Sequence, residues 1–217
     1  MVTPGPAQGK SLMAEKNTVR DQIIDAAKKR FWHYGYAKTT MAEVAADCSM
    51  SPGNLYRFFP GKLDIAEAIA TSEFEQHQQQ IRKLIAVPGK SGRERLRDYF
   101  FEELRHTYQM LEKNPRIYEM ATVIAHERPQ YSNWMLAVER KLLVELIEDG
   151  ERAGDFRTAD KEFTAEMFQS ATMKFRFPQL WSKLTLPKLE RELDGVLKLL
   201  IDGLHARRVE QDTGQAA

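Results

Sequence analysis

A single cysteine, Cys48, occurs in 217 residues, so no internal disulfide framework is possible and a reducing, intracellular setting is expected. No apolar run approaches the ~20 residues that span a bilayer, and the first residues lack the apolar core of a signal peptide. These absences lead to the expectation of a cytoplasmic protein. Chemistry is equally sparse. The histidines (His33, His77, His106, His126, His205) include no i, i+4 pair and have no cysteine partners, so no metal site is readable. There is no serine-nucleophile elbow and no dinucleotide fingerprint. Gly89-Lys90-Ser91 matches the end of a phosphate-binding loop, but Leu84 stands where that loop needs glycine, and no strand precedes it. An enzyme is not expected, nor a cofactor. Charge of one sign is missing too, since the formal net charge is only +1. Its distribution is less even: Arg20 to Lys62 holds seven Lys/Arg against four Asp/Glu, about +3 locally.

What is present is helical periodicity without a competing run of alternating β-branched residues. Apolar residues recur at spacings of three and four in Ile23, Ile24, Ala27, Phe31 and in Met41, Val44, Ala45. The same spacing returns in Leu96, Tyr99, Phe100, Leu104 and in Met135, Val138, Leu142, Leu146. It is found again in Met167, Phe168, Ala171, Phe175. Thr18 with Asp21, Thr40 with Glu43 and Ser91 with Glu94 place an acid three residues after a capping hydroxyl. With breaks at Gly35, Ser49–Pro52, Pro60–Gly61, Pro88–Gly92, Asn114–Pro115, Arg128–Pro129, Gly154 and Thr185–Pro187, this predicts an all-α chain of about nine helices, the first three short. Residues 1–16, rich in Gly, Pro and Ala, are expected as a disordered arm, and 209–217 as a flexible tail. A small domain is expected over 17–70 and a larger one over 71–208.

The informative stretch runs from Thr39 to Lys62. Its first helix starts at the Thr40 cap. A tight connection through Cys48, Ser49 and Met50 follows, and a second helix opens at Ser51 with Pro52 in its first position. Two short helices joined by such a turn form the geometry that seats the second in the DNA major groove. Pro52, Gly53 and Asn54 come first on that helix, then Tyr56 and Arg57. Small residues allow close backbone approach, and Asn54 or Arg57 has the reach for base edges. Tyr56, Lys62 and the Thr40 hydroxyl suit phosphate oxygens. Phe31, Leu55, Phe58 and Phe59 read as the domain's core, and Cys48 as a small buried hydrophobe.

The elements Ala26-Ala27…Phe31…Gly35-Tyr36, Thr39-Thr40…Val44-Ala45, Ser51-Pro52-Gly53-Asn54-Leu55-Tyr56 and Phe59-Pro60-Gly61-Lys62 resemble, in order and spacing, the DNA-binding domain of the tetracycline-repressor (TetR) family over roughly residues 18 to 70. The resemblance implies a homodimeric regulator that touches operator DNA through Thr39, Thr40, Ser51, Pro52, Gly53, Asn54, Tyr56, Arg57 and Lys62. It also implies a C-terminal domain that binds a small effector and dimerises through its last two long helices. Repression is the family habit; the alternative is an activator or architectural DNA binder without a ligand. In one departure, Ser49 stands where the family usually has glycine. Serine tolerates a left-handed conformation poorly, which predicts a strained or reshaped turn.

Beyond residue 70 the chain is rich in large, soft side chains, a composition that suits an adaptable apolar cavity. Phe100, Tyr108, Tyr118, Trp134, Phe168 and Phe175 are the candidate lining for a small hydrophobic effector. Pro178 is expected to kink its helix. The last helix, expected over 187–208, is apolar on more than one face, so it needs a second partner. Leu193, Val196, Leu200 and Leu204 are expected at a two-fold interface formed with the helix that carries Phe175.

Overall fold

The computed structural model describes the backbone of residues 6–176 and 184–204, with side chains from residue 18 onward. Among these residues there are ten helices and no strand: α1 (Pro6–Tyr34), α2 (Met41–Asp47), α3 (Pro52–Leu55), α4 (Lys62–Ile85), α5 (Gly92–Lys113), α6 (Arg116–Glu127), α7 (Pro129–Ala153), α8 (Lys161–Ala171), α9 (Met173–Arg176) and α10 (Leu186–Gly203). The first helix is long, not short. Its backbone is helical from Pro6, through the stretch expected as a disordered arm, so Thr18 lies inside it and not at its start. Apart from Gly9, residues 7–16 are mostly good helix formers, which allows this extension. Pro178 and the 209–217 tail lie outside the described residues.

The chain divides into two compact units. Unit 1 joins the chain up to Gln79 with Met110–Trp134, and unit 2 joins Gln80–Gln109 with the chain from Met135 onward. α6 groups with the first unit because it packs on α1. The Asn114 side chain donates to the Trp32 carbonyl at 3.2 Å, and Glu119 accepts the Ala37 N–H at 2.8 Å.

Unit 1 is built on Ile23, Ala27 and Phe31 of α1, Val44 and Ala45 of α2, and Leu55 of α3, all buried together with Phe59 and with Ile65 and Ile69 of α4. Each such large side chain contributes roughly 1.5–3 kcal/mol by leaving water. Ion pairs close the unit's edges: Arg128 reaches Asp64 at 2.9 Å and Glu67 at 3.4 Å, and Lys28 pairs with Glu73.

Unit 2 has a continuous apolar core drawn from α5, α7, α8, α9 and α10, with Tyr99, Phe168, Leu104, Leu143, Leu189 and Leu193 fully enclosed. The Phe100 and Phe168 rings stack with centroids 5.5 Å apart. At one end α5 and α7 touch backbone to backbone: a Cβ on Gly92 would lie 2.6 Å from the Gly150 Cα. A Cβ on Gly150 would lie 2.3 Å from the Phe156 ring, so glycine is required by space and not by φ. Inside unit 2, half-buried Arg176 grips the buried Glu139 through both terminal nitrogens.

Candidate nucleic-acid interface

The turn between α2 and α3 is fixed from both sides. Thr40 caps α2 in a reciprocal box: its hydroxyl accepts the Glu43 N–H at 3.3 Å, and the Glu43 carboxylate accepts the Thr40 N–H at 2.8 Å. Those bonds from Thr40 hold the Glu43 carboxyl below its usual range. After α2, the Met50 N–H returns to the Ala45 carbonyl at 2.9 Å and the Ser49 N–H to Ala46 at 3.0 Å. This is a Schellman ending, which places its C′ residue, Ser49, in the left-handed region at φ 54°. Ser51 then accepts the Asn54 N–H at 3.2 Å, with Pro52 where its missing N–H costs nothing.

Leu55 points wholly inward beneath α3 and Phe59 follows it, so the opposite side faces out. Ser51, Pro52, Gly53 and Arg57 are exposed, Tyr56 is 52 % exposed, and Asn54 is half-buried. Nothing lies within 4 Å of a Cβ built on Gly53, so the start of the helix is open to a large partner. Thr40 also stays exposed.

Two expected contact residues are occupied elsewhere. Thr39 is 1 % exposed, and its hydroxyl donates to the Gly35 carbonyl at 2.9 Å, so it closes the α1–α2 loop and offers nothing outward. The Lys62 ammonium donates to the carbonyls of Tyr36 at 2.8 Å and Thr39 at 2.9 Å, and lies 4.3 Å from the Tyr36 ring centre. Burial lowers its pKa. Lys62 therefore pins α4 to the loop before α2.

Part of the basic excess is internal as well. Arg30 pairs with Asp47 at 2.6 and 2.9 Å and with Glu43 at 3.3 Å. Lys38 and Arg57, by contrast, are exposed and pair with no carboxylate among the described residues. Lys38, beside the Thr40 cap, was not singled out by pattern; its signal was its place in the loop ahead of α2. Cys48 is half-buried, with burial pushing its thiol pKa up, which disfavours the reactive thiolate.

The six aromatics expected to line one effector cavity are divided between the two units. Phe100, Phe168 and Phe175 are buried in the core of unit 2, and Tyr108 packs against it. Tyr118 and Trp134 belong to unit 1, where they are 37 % and 39 % exposed. Helical spacing reports which face a residue occupies, not which body that face joins. The interior space beside Phe100, Phe175, Gln169 and Arg176 amounts to about 10 Å³, at most one water.

The expected dimer face needs a similar correction. Leu193 is fully enclosed by its own chain, and Phe175 is 5 % exposed, so neither is available to a second copy. Val196, Leu200 and Leu204 are half-buried against the same core. The outward apolar side chains of unit 2 include Leu199 on α10, 79 % exposed, and Phe163 and Met167 on α8, 57 % and 39 % exposed.

Comparison with known proteins matches this arrangement in both halves. The signature described as bacterial regulatory proteins, tetR family, covers residues 23–69, and that of the tetracyclin repressor-like C-terminal domain covers residues 92–197. The uncharacterized HTH-type transcriptional regulator YhgD of Bacillus subtilis is 27 % identical over 194 residues, spanning 85 % of this chain and 95 % of its own length. TtgR of Pseudomonas putida, an HTH-type transcriptional regulator, is 34 % identical over 68 residues, 31 % of this chain and 32 % of its own. Among solved structures, Thermus thermophilus FadR, a TetR-family repressor in complex with lauroyl-CoA, superposes with a TM-score of 0.65. That match has 21 % identity and covers 90 % of this chain and all of the other, a likeness of fold. No helix among the described residues is long and apolar enough to cross a membrane.

Proposed function

The chain belongs to the TetR family of bacterial transcriptional regulators, and from that premise we propose that it is a homodimeric repressor whose grip on a palindromic operator is released by a small apolar effector. The observation that carries this reading is the outward face of α3: Pro52, Gly53, Tyr56 and Arg57 stand exposed on a segment anchored from beneath by Leu55 and Phe59. Arg57 reads base edges, with Asn54 beside it. Tyr56, Thr40 and Lys38 meet phosphates, which set position without specifying sequence. Lys62 supports this surface from behind.

Release is routed through α6. Glu119 holds the Ala37 amide, and Asn114 and Arg116 hold the Trp32 carbonyl, at the loop that presents Thr40. A displacement of α6 pulls on that loop and with it on the placement of α2 and α3. The effector enters the aromatic core of unit 2 and must open it by parting Phe100 from Phe168, since the space there is so small. The lauroyl-CoA held by the Thermus relative is consistent with an apolar ligand in such a fold. The closed cavity favours one alternative, a DNA binder that senses no ligand.

Operators selected from random duplexes and compared by mobility shift test the DNA reading. Arg57→Ala is expected to lose discrimination at particular base pairs by about 1–3 kcal/mol, while Lys38→Ala weakens all duplexes alike. If Arg57→Ala lowers affinity equally for every sequence, Arg57 is a phosphate contact and α3 does not read through it.

A further inference from the structure

Unit 1 carries a cavity of its own. It is a groove of about 460 Å³, between α1, the Phe58–Pro60 turn and α4. This is within the range of small-molecule sites. Its apolar lining is supplied by Ile24, Phe58, Phe59 and Ala68. Its polar lining is strongly one-sided: Asp64, Glu67 and Glu75 along α4 and Asp21 on α1, against a single base, Arg20. Arg128 pairs with Asp64 and Glu67, whereas exposed Asp21 and Glu75 pair with no cation among the described residues. An acid-lined groove repels nucleic acid, so the DNA reading leaves this surface unexplained.

The groove already accommodates one cation of its own chain. The Arg20 guanidinium sits 4.8 Å from the centre of the Phe59 ring, a ring that is otherwise buried. Cation-over-aromatic contact of this kind is favourable where the charge is partly desolvated. The carboxylates are also arranged in a line. Asp64, Glu67, Thr71 and Glu75 recur at three- and four-residue spacing on one face of α4, and from Asp64 to Glu75 is about 16 Å at the helical rise. An apolar lining beside spaced carboxylates matches a molecule made of methylene runs between positive charges.

We infer that this groove binds an elongated aliphatic polyamine, its ammonium groups meeting Asp21, Asp64 and Glu75 and its methylenes lying over Ile24, Phe58 and Ala68. The site is separate from the aromatic core of unit 2. Because Phe58 and Phe59 follow Tyr56 and Arg57 in the chain, occupancy is felt next to the DNA-facing surface.

Calorimetric titration of the full chain without DNA, at physiological salt, tests this with spermine, putrescine and butylamine. Spermine is expected to bind saturably at one site per chain and at least tenfold more tightly than putrescine, which cannot span the line of carboxylates. Glu75→Gln and Asp21→Asn should each weaken spermine by about tenfold, the effect of removing one charged hydrogen-bond partner. Both side chains are exposed, so both variants should keep the wild-type unfolding temperature. Absence of saturable binding overturns the inference. So does affinity that ignores chain length or survives both substitutions, which would mark ion-atmosphere screening, and so does displacement of spermine by equimolar Mg²⁺, which would mark a metal site. No operator is needed, so a failure here is distinct from a failure of the repressor reading.

Discussion

Ser49 holds the one positive φ outside glycine among the described residues, 54°, because the Schellman bonds from Met50 and Ser49 back to Ala45 and Ala46 demand it. A Cβ in that region costs on the order of 1 kcal/mol that glycine avoids. Ser49→Gly is therefore expected to stabilise the protein by about 1 kcal/mol and to raise the unfolding temperature by roughly 2–4 °C for a chain of this size. A drop in a calorimetric scan would show that the serine is at ease there. This strain was legible through the family resemblance, since serine stands where the family usually has glycine. The role of Lys62 was not. An ammonium suited to phosphate is equally suited to carbonyls, and its partners at Tyr36 and Thr39 depend on a loop path that no periodicity encodes. Thr39 misled for the same reason: a hydroxyl beside an exposed cap faces inward once the loop closes on Gly35.

At the scale of elements, the starts of α2, α3 and α5 could be read from Thr40, Ser51 and Ser91, and each carries its capping bond. Capping is local chemistry, and sequence records it well. Partnership between elements is not local. α4, α5 and α7 each contribute residues to both units, and α6 belongs with α1, so neither unit is one continuous stretch of chain. The close approach of α5 and α7 was hidden as well, because Gly92 and Gly150 look in sequence like a loop end and an ordinary helical glycine. Gly150→Ala drives a methyl into Phe156 and is expected to cost about 1–3 kcal/mol, read as a lower urea midpoint with an unchanged slope. An unchanged midpoint would mean that Phe156 yields at no expense.

For the whole molecule, the question is which surface a second copy covers. α10 presents Leu189, Leu193, Leu197 and Ile201 to its own core and leaves Leu199 almost bare, while α8 leaves Phe163 and Met167 in solvent. The breadth of the apolar face on α10 was readable; which leucines face inward was not, because an outward neighbour lies only a residue or two along. Replacing Leu199 and Phe163 together with glutamate is expected to yield folded monomers in sedimentation, whereas Leu193→Glu should unfold the chain by burying a charge. A double variant that sediments as the dimer would exclude this face. The proposed reading surface of α3 has a consequence for descent. Its outward residues bear no weight in the core, and Leu55 and Phe59 bear no message. A lineage can therefore exchange Arg57 or Asn54 and acquire new target genes without passing through an unfolded ancestor, so that regulatory circuits drift while the body that carries them persists.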